Sequence, residues 1–148
     1  MSEITVFDKI VDGSLPAFKV WEDANYLAFL TPWPSTPGFT VVIPKKNPGE
    51  NYIKVADESY LGLLLASKKV AAILKKAFKL ERVGLVIEGE GVPYLHVKLI
   101  PMHGLGAAHV VHQEFYPTYP GYLSTAPGPL MSDEDLKAIQ AKIQKAAQ

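Results

Sequence analysis

The chain has 148 residues, of which 48% are apolar and 20% charged, with zero formal net charge. That size and composition suit one globular domain with a sizeable core, and the charge balance excludes a broad field for nucleic acid or acidic membranes. Cysteine is absent, which excludes disulfides and thiolate chemistry and leaves only His and carboxylates for any zinc site.

A cytoplasmic location is expected. The N-terminus, Met1-Ser2-Glu3-Ile4, lacks the basic stretch and apolar run of a signal peptide. No apolar run reaches the ~20 residues of a membrane helix.

The first predicted element is a short helix over Val6 to Asp12, with Phe7, Ile10 and Val11 on one face and Gly13 as its stop. Phe18 to Glu22 and Tyr26 to Thr31 read as a hairpin turning at Asp23-Ala24-Asn25. A proline-stiffened loop, Pro32 to Gly38, follows. Phe39 to Pro44 is a β-branched third strand.

From Asp57 to Leu80, Tyr60, Leu63, Leu64, Ser67, Ala71, Leu74 and Phe78 recur at helical spacing. Leu61, Leu65 and Ala72 widen the apolar surface beyond what one sheet needs. Lys68, Lys69, Lys75, Lys76 and Lys79 read as a solvated face. Val83 to Glu88 is the fourth strand.

The stretch Gly91 to Pro101 carries the chemistry. Leu95, Val97 and Leu99 alternate with Tyr94, His96 and Lys98, so a strand here has an apolar face and a face bearing a phenol, an imidazole and an ammonium. Successive members of that row lie about 7 Å apart. Two readings stand side by side: a phosphate site, or a half-buried strand with a wet face.

Beyond Pro101 the chain is rich in proline, glycine and aromatics, including Phe115, Tyr116, Tyr119 and Tyr122, and loses its periodicity. Loops this long are uncommon unless functional or disordered. Ser132 is the expected cap of a last helix whose first turn holds Asp133, Glu134 and Asp135. The expectation is a single domain over 1–148, with a core over 1–101, an irregular tail over 102–131 and a helix over 132–147.

These segments together resemble the histidine triad (HIT) superfamily. Phe7 to Pro16 is similar to its opening helix and turn, and Val20-Trp21-Glu22-Asp23 with Ala28-Phe29-Leu30 to its hairpin. Pro37-Gly38-Phe39-Thr40-Val41-Val42-Ile43-Pro44-Lys45 is similar to its third strand, and the central strand stands where the family carries His-φ-His-φ-His, φ being apolar. The resemblance covers roughly residues 4 to 101. It implies an α+β fold: a five-stranded antiparallel sheet with one long helix and short flanking helices, usually dimeric. It implies nucleotidyl hydrolysis or transfer through the middle histidine, His96, on a nucleotide or related phosphate ester.

Departures from the family pattern are plain. Tyr94 and Lys98 stand for the outer histidines, Phe39 for the third-strand histidine and Thr31 for the ribose-gripping aspartate. Thr5 and Asp8 stand for the cysteines of zinc-binding members, and Glu88-Gly89-Glu90-Gly91 shortens the turn before the triad. The candidate catalytic residues are His96 as nucleophile, Lys98 as phosphate contact, Tyr94 as hydroxyl donor and His103 as general acid. Thr31, Trp33, Phe39 and Glu88 are the candidate substrate-binding residues.

No cofactor or metal is expected, although His109 and His112 at i, i+3 raise the metal question. The alternative function is a non-catalytic nucleotide- or phosphate-binding module, or a dimeric interaction protein.

Overall fold

A computed structural model describes residues 3–106, 113–124 and 129–146; His109 and His112 lie outside them. The chain forms two compact units, Met1–Ala107 and Ala108–Gln148. The first holds five strands: β1 (Lys19–Glu22), β2 (Tyr26–Leu30), β3 (Thr40–Pro44), β4 (Val83–Val86) and β5 (Val97–Pro101). It also holds two helices, α1 (Val6–Val11) and α2 (Asp57–Phe78). The strands pair antiparallel throughout, in the order β1-β2-β3-β5-β4. This is the expected five-stranded sheet with one long helix.

The order follows from the connections. The hairpin and the third strand run on as neighbours, then α2 carries the chain across the sheet to the far edge. β4 takes that edge, and β5 returns between β3 and β4. An interior strand is held on both sides, so the chemistry-bearing stretch ends in the best-fixed part of the sheet.

Period-two alternation sorts the side chains onto two faces. Ala28, Val42, Val97 and Leu99 share one core cluster with Leu63, Ala66, Val70 and Leu74 of α2. Leu27, Phe29, Val41 and Ile43 point the other way and pack with Phe7 and Ile10 of α1. The buried stripe of α2 is rotated slightly from the expected one: Ala66 and Val70 are buried, whereas Phe78 is partly exposed. Gly62 lets the helix pass Tyr26, whose hydroxyl occupies the space a Cβ would need. α2 ends at Lys79, which adopts a left-handed cap with φ 53°.

α1 is short and depends on its cap. Thr5 Oγ1 accepts the Asp8 amide at 3.2 Å, while Asp8 Oδ2 accepts the Thr5 amide at 2.8 Å, a reciprocal capping box.

In the second unit α3 spans Asp133–Ala146. Ser132 Oγ accepts the Asp135 amide at 3.1 Å, as a cap should. Tyr116 and Tyr122 meet edge to face with their hydroxyls hydrogen-bonded, and the Ser124 hydroxyl donates to Glu114. Among the described residues, no helix is long and apolar enough to cross a membrane.

Leu63 is fully buried between α2 and the sheet. Leu63→Ala should therefore cost about 3 kcal/mol of unfolding free energy, the usual range for an aliphatic core truncation. Urea denaturation followed by circular dichroism measures this.

Candidate active site

The expected strand from Gly91 to Pro101 is shorter than its alternation suggested. Only Val97–Pro101 joins the ladder. Pro93 has no amide to donate, and Gly91 adopts φ 90°, a conformation that favours glycine. The segment before Val97 is held from outside the sheet instead. The Leu95 amide donates to the Gly49 carbonyl at 2.7 Å, and Asn47 Nδ2 reaches the Pro93 carbonyl at 3.4 Å.

The alternation nevertheless persists through this irregular piece. Leu95 joins the α2-side core, and Tyr94 joins the α1-side core.

Tyr94 is fully buried, and its hydroxyl donates to the Pro44 carbonyl at 2.6 Å. Burial pushes its phenol far above the usual tyrosine value, with the Asp8 carboxylate adding to the effect. Its ring meets Phe7 edge to face. This geometry differs from a hydroxyl offered to a ligand: the packing demand of a large ring on the α1 side draws Tyr94 inward, and its donor is spent on backbone.

His96 is 5% exposed yet lines a cavity of about 660 Å³. Its Nδ1 lies 2.7 Å from the Tyr94 carbonyl. A carbonyl can only accept, so Nδ1 carries a proton, and in the tautomer this selects the lone pair is on Nε2. Phe7 meets the imidazole edge to face at 5.3 Å and limits its tilt.

Lys98 lines the same cavity. Cross-strand register sets it beside Val41 on one side and Val86 on the other. Its ammonium pairs with Glu88, itself largely buried, and burial lowers the lysine pKa. Glu88 lies two residues beyond Val86 and so reaches the same face.

The cavity wall is mostly hydrocarbon. Phe7 and Ile10 come from α1, Phe29 and Val41 from neighbouring strands, and Phe39 from just before β3. Thr31 and Trp33 line it from the proline loop. Trp33 is 87% exposed at the rim, and the Thr31 hydroxyl accepts the Trp33 amide at 3.3 Å. Glu90 adds a carboxylate.

His96, Lys98, Thr31, Trp33 and Phe39 are thus brought together, and Glu88 reaches the group through Lys98. His103 is placed elsewhere. Its Nε2 hydrogen-bonds the Pro37 carbonyl at 2.8 Å, and its ring packs on Phe78 of α2. It is not among the cavity-lining residues. Two residues past β5 is close in sequence but too far along the turn to fold back over the α1-side face.

Sequence reasoning did not single out Glu90, Val92 or Phe18 as lining residues. The signal for Phe29 and Val41 was available in the alternation of β2 and β3, since both share the parity that faces α1. The pairing of Lys98 with Glu88 had no local signal, because it crosses between strands.

The sheet, the helix across one face and the histidine placed just before the interior strand β5 define a HIT-type fold. The HIT domain matches residues 12–105, and the chain belongs to that family. Protein hit of Bacillus subtilis is 35% identical over 112 residues, covering 71% of this chain and 75% of its own length. Adenosine 5′-monophosphoramidase hnt1 of Schizosaccharomyces pombe is 31% identical over 93% of this chain and 94% of its own. The crystal structure of a HIT-family protein from Bacillus subtilis superposes with a TM-score of 0.68 at 29% identity, covering 97% of this chain and 96% of that one.

The Tyr94 hydroxyl generates a prediction. Tyr94→Phe leaves the Pro44 carbonyl unpaired and should lower stability by about 1–2 kcal/mol. Because the folded phenol titrates above its unfolded value of about 10, its contribution is complete below that pH and is lost as pH rises toward the folded value. Denaturation titrations above about pH 10 should show a shallower alkaline loss in Tyr94→Phe than in the wild type.

Proposed function

We propose that this chain is a hydrolase or transferase of nucleotidyl or related phosphoryl groups, working through His96 as a cytoplasmic homodimer. The observation that carries the reading is the Nδ1–H of His96 donated to the Tyr94 carbonyl, on a ring that lines a cavity beside an ammonium. That hydrogen bond leaves Nε2 as the free nucleophile without help from an outer histidine.

In the proposed reaction Nε2 attacks phosphorus, an N–P bond forms, and the P–O or P–N bond to the leaving group breaks. The Lys98 ammonium faces the phosphoryl oxygens, whose charge needs fixed donors. Its lowered pKa suits it to pass a proton to the departing oxygen or nitrogen. Water then attacks the phospho-histidine, gives its proton to the Lys98 amine and restores both groups. An aromatic base or other flat group lies against Phe39 and Trp33, while the Thr31 hydroxyl is spent on fixing the Trp33 loop.

A non-catalytic phosphate-binding module is the second reading. It is favoured by the existing ion pair of Lys98 with Glu88, which already occupies the cation.

The two separate in one experiment. The wild-type chain should turn over at least one member of a panel of nucleoside phosphoramidates, dinucleoside polyphosphates and nucleotidyl sulfates. His96→Ala should lose about 1,000-fold or more, as removal of a nucleophile does. Binding without turnover across the panel would decide for the module.

The homodimer reading rests on Leu61 and Leu65, which are 56% and 63% exposed one turn apart on α2. The wild-type chain should sediment with twice the monomer mass, and Leu61→Asp with Leu65→Asp should halve it. A wild-type monomer at micromolar concentration would rule the dimer out.

A further inference from the structure

The peptide unit that accepts the His96 hydrogen bond is held at its other end as well. The Tyr94 carbonyl and the Leu95 amide belong to one trans peptide bond, which is planar. The carbonyl lies 2.7 Å from His96 Nδ1, and the amide donates to the Gly49 carbonyl at 2.7 Å. Turning one end of a rigid plane turns the other. The Gly49 carbonyl therefore sets the direction in which the Tyr94 carbonyl meets the imidazole, and each hydrogen bond polarises the peptide for the other.

Neither packing nor the sheet supplies this direction. Tyr94 and Leu95 sit in opposite cores, but apolar burial is non-directional. The ladder of β5 begins only at Val97. The stretch Pro44–Gly49 instead supplies a hydrogen-bond partner to each of Pro93, Tyr94 and Leu95.

That stretch is shaped locally. Asn47 Oδ1 accepts the Gly49 amide at 2.9 Å, which closes an Asx turn. Gly49 takes φ 106°, a conformation that favours glycine, although a Cβ there would meet nothing nearer than Val55 at 3.9 Å. The Lys45 amide donates to the Asn25 carbonyl at 2.7 Å and ties the start of the stretch to the β1–β2 turn.

We propose that Asn47 is a positioning residue for His96, acting through the turn it closes at Gly49. The turn aims the Gly49 carbonyl, that carbonyl fixes the Tyr94–Leu95 plane, and the plane selects the Nδ1–H tautomer that leaves Nε2 free to attack. The catalytic use of this device rests on the phosphoryl-transfer reading above; the tautomer itself is a property of the chain without substrate.

The test compares full-length wild type, Asn47→Ala, Gly49→Ala and Asn47→Asp. Nitrogen NMR on protein with isotope-labelled histidine, at about pH 8.5 and so above the ordinary imidazole pKa, reads which ring nitrogen bears the proton. The signal missing in His96→Ala identifies His96 among the four histidines. The wild type should show the Nδ1–H form. Asn47→Ala and Gly49→Ala should show mixed tautomers. Their kcat on the panel member that the wild type turns over fastest should fall at least about tenfold with KM little changed. Asn47→Asp keeps an acceptor for the Gly49 amide and should stay within about threefold of the wild type. Leu63→Ala is the control for destabilisation alone and should keep the wild-type tautomer and kcat while folded.

A wild-type tautomer and kcat in folded Asn47→Ala, or a loss in Asn47→Asp as large as in Asn47→Ala, would overturn the role of Asn47 and leave the phosphoryl-transfer reading standing. No turnover by the wild type, with mixed tautomers in Asn47→Ala, would overturn that reading and uphold the positioning. Should Asn47→Ala fail to fold, Asn47→Ser replaces it, since a serine hydroxyl closes the same turn more weakly; a pure Nδ1–H form in that variant would overturn the proposal.

Discussion

The hydrogen bond from His96 Nδ1 to the Tyr94 carbonyl is the constraint on which the site depends. It fixes the tautomer of a ring in a largely hydrocarbon cavity, and a ring fixed in this way presents one basic nitrogen. The carbonyl is itself immobile because Tyr94 is anchored at both ends of its side chain. The ring is buried with Phe7, and the hydroxyl is tied to Pro44. The phenol is therefore linked to the histidine through the backbone rather than through its hydroxyl.

Lys98 illustrates how one strand position is set by its two neighbours. Val41 and Val86 flank it in the sheet, and the turn after β4 delivers Glu88 to its ammonium. Burial lowers the lysine pKa while the carboxylate holds the charge in place. A cation that is both partly desolvated and paired is a weaker anion trap than a free one, but a better-placed donor.

Membership of the HIT family explains the frame and leaves the site chemistry to this chain's own residues. The sheet and α2 are shared with relatives such as the Bacillus subtilis structure. The mouth of the cavity takes its aromatic surface from Phe39 and the Trp33 loop. Thr5 and Asp8 are joined in the cap of α1. That cap orders a helix of only six residues, whose Phe7 then supports both Tyr94 and His96.

Most of the element order was legible in the sequence. The apolar face of α1, the hairpin of β1 and β2, the β-branched run of β3, the long periodicity of α2 and the cap of α3 are local patterns, and local patterns survive folding. The parity of His96, on the α1-side face with Tyr94 and Lys98, was legible for the same reason. The rotation of α2 by part of a turn was not, because Leu64 and Ala71 satisfy a helical period as well as Ala66 and Val70 do.

The sequence by itself determined which residues share a face: alternation assigns parity, and parity held even where Pro93 and Gly91 broke the ladder. Only the tertiary structure decided what each face meets. It turned Tyr94 into a core residue against Pro44, fifty positions away, gave Lys98 its carboxylate and drew His103 to Pro37 and Phe78. The physical reason is that a two-residue repeat specifies direction, whereas a neighbour across the sheet is specified by register and by the helix packed above it.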